Sequence, residues 1–596
     1  MHIIHEYYNS RIRGSGDDNF ILTNGIGGYA SLSEQNSSKF QGVYFAEGFE
    51  CYKAIENLVI SGKSKALINR FTSAVKHKDD CAEYFFMPRN HNAFIYELSR
   101  KKEITLVLDC RKQLDFDDKG RRYNVGLRDG ILYISYAKAK SGKKEYSIYI
   151  AMIPDSFDYR KTGKWEERNY SYDERRKGVS NGWVYNALKI NASRIVFGFG
   201  TTEEKARENA LAVKGMKTDS EYPSAELKFI LDSKVSTAYL CAQQSLYKLI
   251  TNAANEEGIF AGFYWFNHFW TRDELVSAGA LISLKDFELT KKILMRNLKY
   301  IGDDGRLANR IPPTKTGNAD SVGWLFKRFY DFLAVLDRKG IVKKYFSERE
   351  IRLVKAGAEK AVRSIIQNHS DSGILIKSSL QETWMDTRQA GRDGYRLEIQ
   401  ALQLAIYRFL AMISVMTNDF TSLKYAEHKE AELKKKTREV FWNGHYLADG
   451  SDDSTIRPNV FLVHYIYPEL LSKKEWIRCF DNVLPRLFTG FGLSSIDMHN
   501  PRFQPHHTGE NDESYQNGDS WYWVNNLAAI CLYRTAKFRY AKYIQKLLWG
   551  STNDILWQGI PGAASEISSA KRHEAFGALC QAWSNSTYIE MIRELF

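Results

Sequence analysis

The stretch YRLEIQALQLAIYRFLAMI, residues 395 to 413, decides the fold class of the longer part of the chain. Its apolar residues recur three or four positions apart, which is the period of an α-helix. About eleven further stretches with this period follow residue 225, from SKVSTAYLCAQQSLYKLIT (233 to 251) to EAFGALCQAWSNSTYIEMIREL (574 to 595). About twelve helices joined by alternating short and long loops predict helical hairpins stacked around a ring over residues 226 to 596. No internal repeat is visible, so the ring rests on helix number and loop character.

The first 225 residues show a different period. Short runs rich in β-branched and aromatic residues follow one another, and no helical pattern separates them as it would in a parallel sheet. The runs are AFIYELS, EITLVLDC, GILYISYAKA, EYSIYIAMI and RIVFGFG. They predict an antiparallel β-sandwich domain over residues 1 to 225, with one short helix at EEKARENALAVKG, residues 203 to 215.

The composition is that of a soluble globular protein large enough for two domains. The chain has 596 residues, of which 44% are hydrophobic, and a mean hydropathy of −0.43. The first residues, MHIIHEYYNSRIRGSG, lack the apolar core of a signal peptide, and no run of 18 apolar residues occurs. We therefore expect a cytoplasmic protein.

Cysteine spacing and charge exclude several classes of protein. The seven cysteines lie far apart and none forms a CxxC pair, which argues against a disulfide framework or a cysteine zinc site and predicts mostly buried thiols. The net charge of +13 suits a nucleic-acid partner. The lysines and arginines are dispersed, however, as in the solvated helix face ELKKKTRE, so we expect neither a nucleic-acid nor a membrane partner.

No motif in the chain predicts a metal or another cofactor. His506 and His507 lie near Glu510 and Asp512, but this spacing matches no standard zinc pattern. TNGIGG, residues 23 to 28, lacks the Lys-Ser/Thr pair of a phosphate loop and predicts turns between the first strands.

The tryptophans point towards carbohydrate. Most of the 13 follow residue 225, and several lie in predicted loops beside acids and amides. Examples are Trp270 in FWTRDE, Trp384 in TWMD and Trp521 in NGDSWYW. An indole face stacks on the C–H groups of a sugar while polar neighbours bind its hydroxyls. These loops therefore predict a sugar-binding site.

A series of motifs resembles the prokaryotic glycogen-debranching-enzyme family, which is related to amylo-α-1,6-glucosidase. In the order found in that family they are ILTNGIGGYAS (21 to 31), FYWFNHFWTRDELVSAG (263 to 279), ETWMD (382 to 386), RLEIQAL (396 to 402), IRPN (456 to 459), DESYQNGDSWYW (512 to 523), ASEI (564 to 567) and QAWS (581 to 584). The resemblance covers most of the chain, with the N-terminal block matching the family's sandwich domain and the rest its toroid. It therefore implies a catalytic (α/α)6 toroid domain over residues 226 to 596. It implies an inverting glycoside hydrolase that releases glucose from α-glucans at α-1,6 branch stubs in glycogen breakdown, without a cofactor.

Two motifs depart from that family. WTRD, residues 270 to 273, stands where the family usually has WGRD, and it is similar to a string of the (α/α)6 glucoamylases. Gln516 and Tyr522 stand where the family usually has His and Pro. The alternatives are therefore a glucoamylase-like exo-acting α-1,4/α-1,6-glucosidase or, in a different class, a non-catalytic glucan-binding toroid or a toroid with other sugar chemistry.

Asp386 and Glu566 are the candidate catalytic carboxyls, because hydrolysis of a glycosidic bond needs a proton donor and a base on opposite sides of it. Trp384 and Met385 would form an apolar wall that raises the pKa of Asp386, as a general acid requires; a loop-capping role is the alternative. Glu566 lies in the small-residue loop GIPGAASEISS, and the resemblance implies that it is the general base; a surface glutamate is the alternative. The two carboxyls should lie roughly 6.5 to 9.5 Å apart.

The remaining candidates are predicted to bind substrate. Arg272 and Asp273 form adjacent charges that would clamp vicinal hydroxyls of the terminal glucose, or close a helix N-terminus as an ion pair. For Glu398 an exposed helix position is equally compatible. The predicted substrate-binding set is Trp270, Arg272, Asp273, Trp384, Glu398, Arg457, Asn459, Gln516 and Trp521.

Overall fold

The computed structural model describes residues 1–7, 10–70, 72–140, 143–217, 233–314, 317–371 and 373–596, and these residues form two compact units. The first unit comprises Met1–Gly258, Gly262–Asn267 and Asn553–Ala563, and the second comprises Ile259–Ala261, His268–Thr552 and Ala564–Phe596. The predicted boundary between residues 225 and 226 lies outside the described residues and stays a prediction.

The first unit is rich in β-strands. Its strands are β1 (His2–Tyr7), β2 (Ser10–Ser15), β3 (Leu22–Thr23), β4 (Tyr29–Ser31), β5 (Gly42–Glu47), β6 (Glu50–Ile55), β7 (Asn57–Val59), β8 (Ser64–Asn69), β9 (Ser73–Lys78), β10 (Ala82–Phe86), β11 (Ala93–Leu108), β12 (Arg111–Lys112), β13 (Arg121–Arg128), β14 (Ile131–Lys140), β15 (Lys143–Pro154), β16 (Tyr159–Asn169), β17 (Asn181–Gly200), β18 (Ile250–Ala253), β19 (Glu256–Ile259) and β20 (Gly262–Phe263). Its helices are α1 (Ser171–Arg175), α2 (Glu203–Val213) and α3 (Ser233–Leu249).

Two sheets make up most of the first unit. The larger one has the strand order β13-β14-β15-β17-β11-β10-β9-β8-β1-β2, with β16 on β17 and β7 on β11, and the smaller one has the order β12-β6-β5-β4-β3. Neighbouring strands pair antiparallel, as predicted, but β1 and β8 pair in parallel. One hydrophobic core contains side chains of both sheets, including Phe45 of β5 and Phe199 of β17, whose rings lie 6.0 Å apart.

Two local predictions for this unit are confirmed. The helix expected at residues 203 to 215 is α2, and its Ala206 and Ala210 are buried beside β15 and β17. Gly198 of β17 permits this contact, because a Cβ there would collide with the α2 backbone. The TNGIGG stretch forms the turn between β3 and β4, where Asn24 Oδ1 accepts hydrogen bonds from the backbone N–H groups of Ile26 and Gly28.

The second unit is predominantly helical. Its helices are α4 (Thr271–Leu284), α5 (Phe287–Lys299), α6 (Ser321–Arg338), α7 (Val342–Tyr345), α8 (Glu348–His369), α9 (Leu397–Met416), α10 (Phe420–Phe441), α11 (Asn459–Ile466), α12 (Lys473–Leu487), α13 (Tyr522–Ala536), α14 (Ala541–Trp557) and α15 (Ala582–Leu595). Its short strands are β21 (Phe269–Trp270), β22 (Arg310–Ile311), β23 (Lys377–Ser378), β24 (Gly394–Tyr395), β25 (Ser520–Trp521), β26 (Ile567–Ser568), β27 (Ala575–Phe576) and β28 (Cys580–Gln581).

Six of these helices contact one another in cyclic order. Helix α4 contacts α6, α6 contacts α9, α9 contacts α11, α11 contacts α13, α13 contacts α15, and α15 contacts α4 again. The helices that alternate with them along the chain pack against this set: α5 on α4 and α6, α8 on α9, α10 on α9, and α12 on α13. We call α4, α6, α9, α11, α13 and α15 the inner helices.

Burial separates the inner helices from the others. All eight residues of α11 are buried, as are the residues of α9 from Leu397 to Tyr407. Helix α9 is apolar and long enough to cross a membrane, but 72% of its most apolar window is buried inside the protein, as expected for a core helix. Helix α8 instead buries one stripe, from Ile351 to Ile365, at helical spacing.

The last predicted helix is partly wrong. EAFGALCQ, residues 574 to 581, forms β27 and β28 with the intervening turn, and α15 begins only at Ala582. Gly577 lies in this segment with a φ of 70°, a conformation that interrupts a right-handed helix. The prediction of buried thiols is confirmed, because all seven cysteines are buried and free.

Candidate active site

The predicted site residues cluster at the N-terminal ends of the inner helices. Hydrogen bonds join these ends: Thr271 at the start of α4 donates to Ser321 at the start of α6 at 2.9 Å. Gln581, which precedes α15, donates to Asp273 of α4 at 3.0 Å. The N-termini of α4, α6 and α15 therefore lie in one region of the second unit. Loops that precede these helices bring distant parts of the sequence together there.

Asp386 is held by a buried arginine. Arg272 Nη1 donates to Asp386 Oδ2 at 3.2 Å, while Arg272 Nε donates to Asp320 Oδ2 at 2.7 Å. The Asp386 side chain keeps 39% of its surface accessible, whereas Trp384 and Met385 directly before it are buried. Burial within the site raises the pKa of Asp386, and the opposing effect of Arg272 does not cancel this. Asp386 is thus both reachable and inclined to hold a proton.

Asp273 is close enough to both candidate catalytic carboxyls for their charges to affect its pKa. The pKa of Asp273 is raised to about 8, chiefly by burial; the Arg272 charge opposes this rise, and the charges of Glu566 and Asp386 contribute to it. Burial also raises the pKa of Asp320. One guanidinium therefore serves several carboxyls, and burial favours the protonated form of each of them.

Glu566 is buried and accepts two hydrogen bonds. The Tyr515 hydroxyl donates to Oε1 at 2.5 Å, and the Ala578 backbone N–H donates to Oε2 at 2.9 Å. Gly577 makes room for this carboxyl, because a Cβ at that position would collide with Oε2. Two donors directed at a carboxylate stabilise its charged form, which is the form that accepts a proton.

Asp386 and Glu566 belong to the same site. Burial is the main cause that raises the pKa of Tyr515. The Glu566 carboxylate raises it as well, and the Asp386 charge adds to this effect. Asp273 responds to the same two carboxyls. Both candidates therefore act on the same two neighbours, although 179 residues lie between them in the sequence.

The tryptophans form a packed cluster behind these carboxyls. Trp384 contacts the rings of Trp521 and Trp523 edge to face at 5.3 and 5.2 Å, and Trp523 stacks on Trp583 at 4.7 Å. All four indoles are at most 4% exposed. Such burial leaves Trp384 and Trp521 little surface for a sugar. Trp270 is only partly buried, and the Arg310 guanidinium lies 6.0 Å from its ring.

Glu398 and Asn459 lie in a buried polar network. Arg392 makes a two-point ion pair with Glu398 at 2.8 and 2.9 Å and a second pair with Asp449 at 2.7 and 3.0 Å. Asn459 donates to Asp449 at 2.7 Å and accepts the indole N–H of Trp384 at 2.8 Å. The network thus fixes the loop that carries Trp384 and Asp386. It places Glu398 against Arg392 rather than on an exposed helix face.

Arg457 and Gln516 are also fully buried. Arg457 Nη1 donates to the backbone oxygens of Ser495 at 3.0 Å and Gln516 at 2.6 Å, and burial lowers the pKa of Arg457 to about 10. The Gln516 amide nitrogen donates to the Trp384 carbonyl at 3.3 Å. Its side-chain oxygen is buried and has no hydrogen-bond partner in the described part of the chain. This oxygen is an acceptor directed into the loop region.

His507, one of the two histidines considered for a metal, pairs with a carboxylate. His507 Nδ1 contacts Asp519 Oδ2 at 2.7 Å, and Ser514 donates to the same oxygen at 2.8 Å. Among the described residues, no group of three His, Cys, Asp or Glu side chains is placed to hold a metal ion.

Sequence reasoning missed several members of the site. Tyr515 and Gln581 stand inside the quoted motifs SYQNGDSWYW and QAWS, so the motifs carried a signal for them. Asp320, Arg392 and Asp449 carried none, because an isolated charged residue in a loop does not reveal its partner.

One comparison with known proteins shows the family, and another shows the fold. The family model described as amylo-alpha-1,6-glucosidase matches residues 228–590, which is more than half of the chain. A crystal structure of bacterial glucoamylase complexed with acarbose superposes with a TM-score of 0.65 at 13% identity, covering 100% of this chain and 97% of that chain. This likeness shows the fold. A comparison with curated protein sequences gives no match.

The extent of the family match and the carboxyl cluster at the inner helices lead to one conclusion: this chain belongs to the amylo-alpha-1,6-glucosidase family and is a glycoside hydrolase.

Proposed function

We propose that the protein is an inverting hydrolase that releases glucose from α-glucans, with the α-1,6 branch stub as its preferred linkage. Asp386 is the general acid and Glu566 the general base. The observation that carries this proposal is the contrast between the two carboxyls: Asp386 is reachable and its pKa is raised, while Glu566 is buried and accepts two hydrogen bonds.

In the proposed reaction Asp386 gives its proton to the glycosidic oxygen as the bond to the anomeric carbon breaks. A water molecule attacks that carbon from the opposite face and passes a proton to Glu566, so the configuration inverts. A carboxyl separation of roughly 6.5 to 9.5 Å would leave room for this water. Arg272 and Asp273 bind hydroxyls of the terminal glucose, and protonated Asp273 can donate as well as accept a hydrogen bond.

The family match supports the α-1,6 preference, since its description is amylo-alpha-1,6-glucosidase. A second candidate is a glucoamylase-like enzyme that cleaves both α-1,4 and α-1,6 bonds. The WTRD string at residues 270 to 273 and the likeness to the bacterial glucoamylase favour it. Both candidates use the same carboxyls and differ only in linkage.

We further propose that the helical unit is an (α/α)6 toroid and the sheet-rich unit a β-sandwich. The cyclic contacts of the inner helices and the core shared by the two sheets support these assignments. We retain residues 1 to 225 and 226 to 596 as the proposed domains, and the cytoplasm as the proposed location.

Turnover of Asp386→Asn and Glu566→Gln on isomaltose-type, maltose-type and limit-dextrin substrates tests the function. Each substitution should lower kcat by about a thousandfold or more with little change in binding, because both groups act chiefly in the transition state. Azide should partly restore Glu566→Gln by replacing the activated water. Glu513→Gln, an exposed loop carboxyl, serves as the control. Activity of either carboxyl variant within about tenfold of the parent would refute the assignment.

A further inference from the structure

A cavity lined by none of the clustered carboxyls opens beside the loops of the inner helices. It has a volume of about 450 Å³, and its walls include Tyr446, Arg486 and His499. We call it the rim pocket. Ligand pockets in proteins typically span about 300 to 1,000 Å³, so a sugar unit fits it by size.

The rim pocket adjoins the candidate active site through shared segments. Ile456 lines the pocket and directly precedes Arg457, and its carbonyl accepts the backbone N–H of Asp497, also a lining residue, at 2.9 Å. On the other side, Asn500 and Pro501 line the pocket, and the next residue, Arg502, donates to Ala390 in the loop after Asp386. The pocket therefore lies at the same end of the helical unit as the carboxyl cluster.

The lining of the rim pocket is polar and close to neutral. Arg486 forms a 2.8 Å ion pair with Asp497, which also accepts the His499 backbone N–H at 2.9 Å, so these two charges balance each other. Hydroxyls of Ser454 and Thr455 and amides of Asn482 and Asn500 complete much of the wall. The described lining contains no lysine and no second carboxylate. A neutral ligand rich in hydroxyls matches this set better than a phosphate, which would need an uncompensated cation.

Aromatic rings also line the rim pocket, as they do in sugar-binding sites. The Tyr446 hydroxyl donates to the Ser454 carbonyl at 3.1 Å, which anchors the ring at the pocket wall. The His499 ring contacts Asp497 Oδ1 through Nδ1 at 3.1 Å but is 72% exposed, so the rest of this second ring is available to a ligand. Rings beside ion-paired and hydroxyl-bearing side chains offer both stacking and hydrogen bonds to a glucose unit.

We propose that the rim pocket is a non-catalytic glucan-binding site that holds a chain of the branched substrate while another chain end enters the carboxyl cluster. This inference rests on the proposed function for its ligand class, an α-glucan. Holding a second chain raises the local concentration of branch stubs at the catalytic carboxyls.

Binding of cyclomaltoheptaose, measured by isothermal titration calorimetry on the full chain, tests the proposal. This cyclic α-glucan has no chain end and so is no substrate for an exo-acting enzyme. Its Kd should rise about fivefold or more in Tyr446→Ala and in His499→Ala. The control Tyr425→Ala, an exposed tyrosine on α10, should leave Kd unchanged, and so should Glu566→Gln.

Kinetics supply the second readout. The two pocket variants should keep kcat/KM on a short α-1,6 oligosaccharide while losing about fivefold on glycogen. A Kd within about twofold of the parent in both variants, the absence of binding by the parent, or loss of binding in Glu566→Gln would overturn the proposal. Tighter binding of inorganic phosphate than of the cyclic glucan, competing with it, would also overturn it. The binding test does not depend on hydrolysis, so it stands even if the proposed reaction fails.

Discussion

Replacement of Tyr515 by Phe isolates one donor to the proposed base. The Tyr515 hydroxyl and the Ala578 N–H both donate to the Glu566 carboxylate, at 2.5 and 2.9 Å. Tyr515→Phe removes the first and leaves the ring, which packs against Trp521 at 4.6 Å. Without that donor the carboxylate binds a proton more tightly. The acidic limb of the pH dependence of kcat/KM should therefore move to higher pH.

The size of this shift follows from the hydrogen bond. A hydrogen bond to a charged group contributes about 1.5 to 3 kcal/mol, and each pH unit corresponds to about 1.4 kcal/mol. Because Tyr515 is only partly buried, the lower end applies, and we expect a shift of about one pH unit. At pH values well above this acidic limb, the activity of Tyr515→Phe should fall much less than at pH values on the limb.

The assay is kcat/KM on an isomaltose-type oligosaccharide across the acidic pH range, which reports the free enzyme. Tyr522→Phe is the matched control, because it removes a tyrosine hydroxyl that contacts the His573 ring at 3.1 Å. The control should leave the limb in place. A shift below about 0.3 pH unit in Tyr515→Phe, or equal shifts in both variants, would show that this hydroxyl does not tune the base.

Three more predictions concern stability and the placement of Glu566. Glu398→Ala should lower the free energy of unfolding, measured in urea, by about 3 kcal/mol, because Arg392 stays buried with one carboxylate fewer; a loss under about 1 kcal/mol would contradict this. The pKa of Asp273 is about 8 in the folded protein against a reference of 3.8, so the native state binds more protons than the unfolded state between these values. The free energy of unfolding should therefore fall as the pH rises from 4 to 8, by at most about 1.4 kcal/mol per pH unit. Asp273→Asn should flatten that slope in denaturation curves, and an unchanged slope would exclude the carboxyl as its source. Gly577→Ala should displace Glu566 and lower kcat about tenfold or more with KM nearly constant; full activity would show that the base tolerates the displacement.

Periodicity predicted most elements because burial patterns are local. The helical stretch at 395 to 413 is α9, and the runs GILYISYAKA and EYSIYIAMI are β14 and β15. The runs AFIYELS and EITLVLDC were separated in the prediction by the polar residues between them, but they form one strand, β11. A register shift between Glu97 and Lys102 carries β11 past that polar stretch, and local pattern does not reveal such an irregularity.

The site was predictable where a motif carried it and not where a partner lies far along the chain. Arg272 was a candidate from its motif, but its pairing with Asp320 joins residues in separate loops. The order of residues in TWMD also does not tell which way an indole faces. Trp384 was expected to form a sugar platform, and the structure buries it against Trp521 and Trp523.

The anomer released first is the most direct test of the paired carboxyls. Proton NMR of the parent enzyme with an isomaltose-type substrate, recorded before mutarotation, distinguishes the two outcomes. An acid at Asp386 opposite a water held by Glu566 predicts β-glucose as the first product. First release of α-glucose would require a covalent intermediate on one carboxyl and would contradict the roles assigned to both.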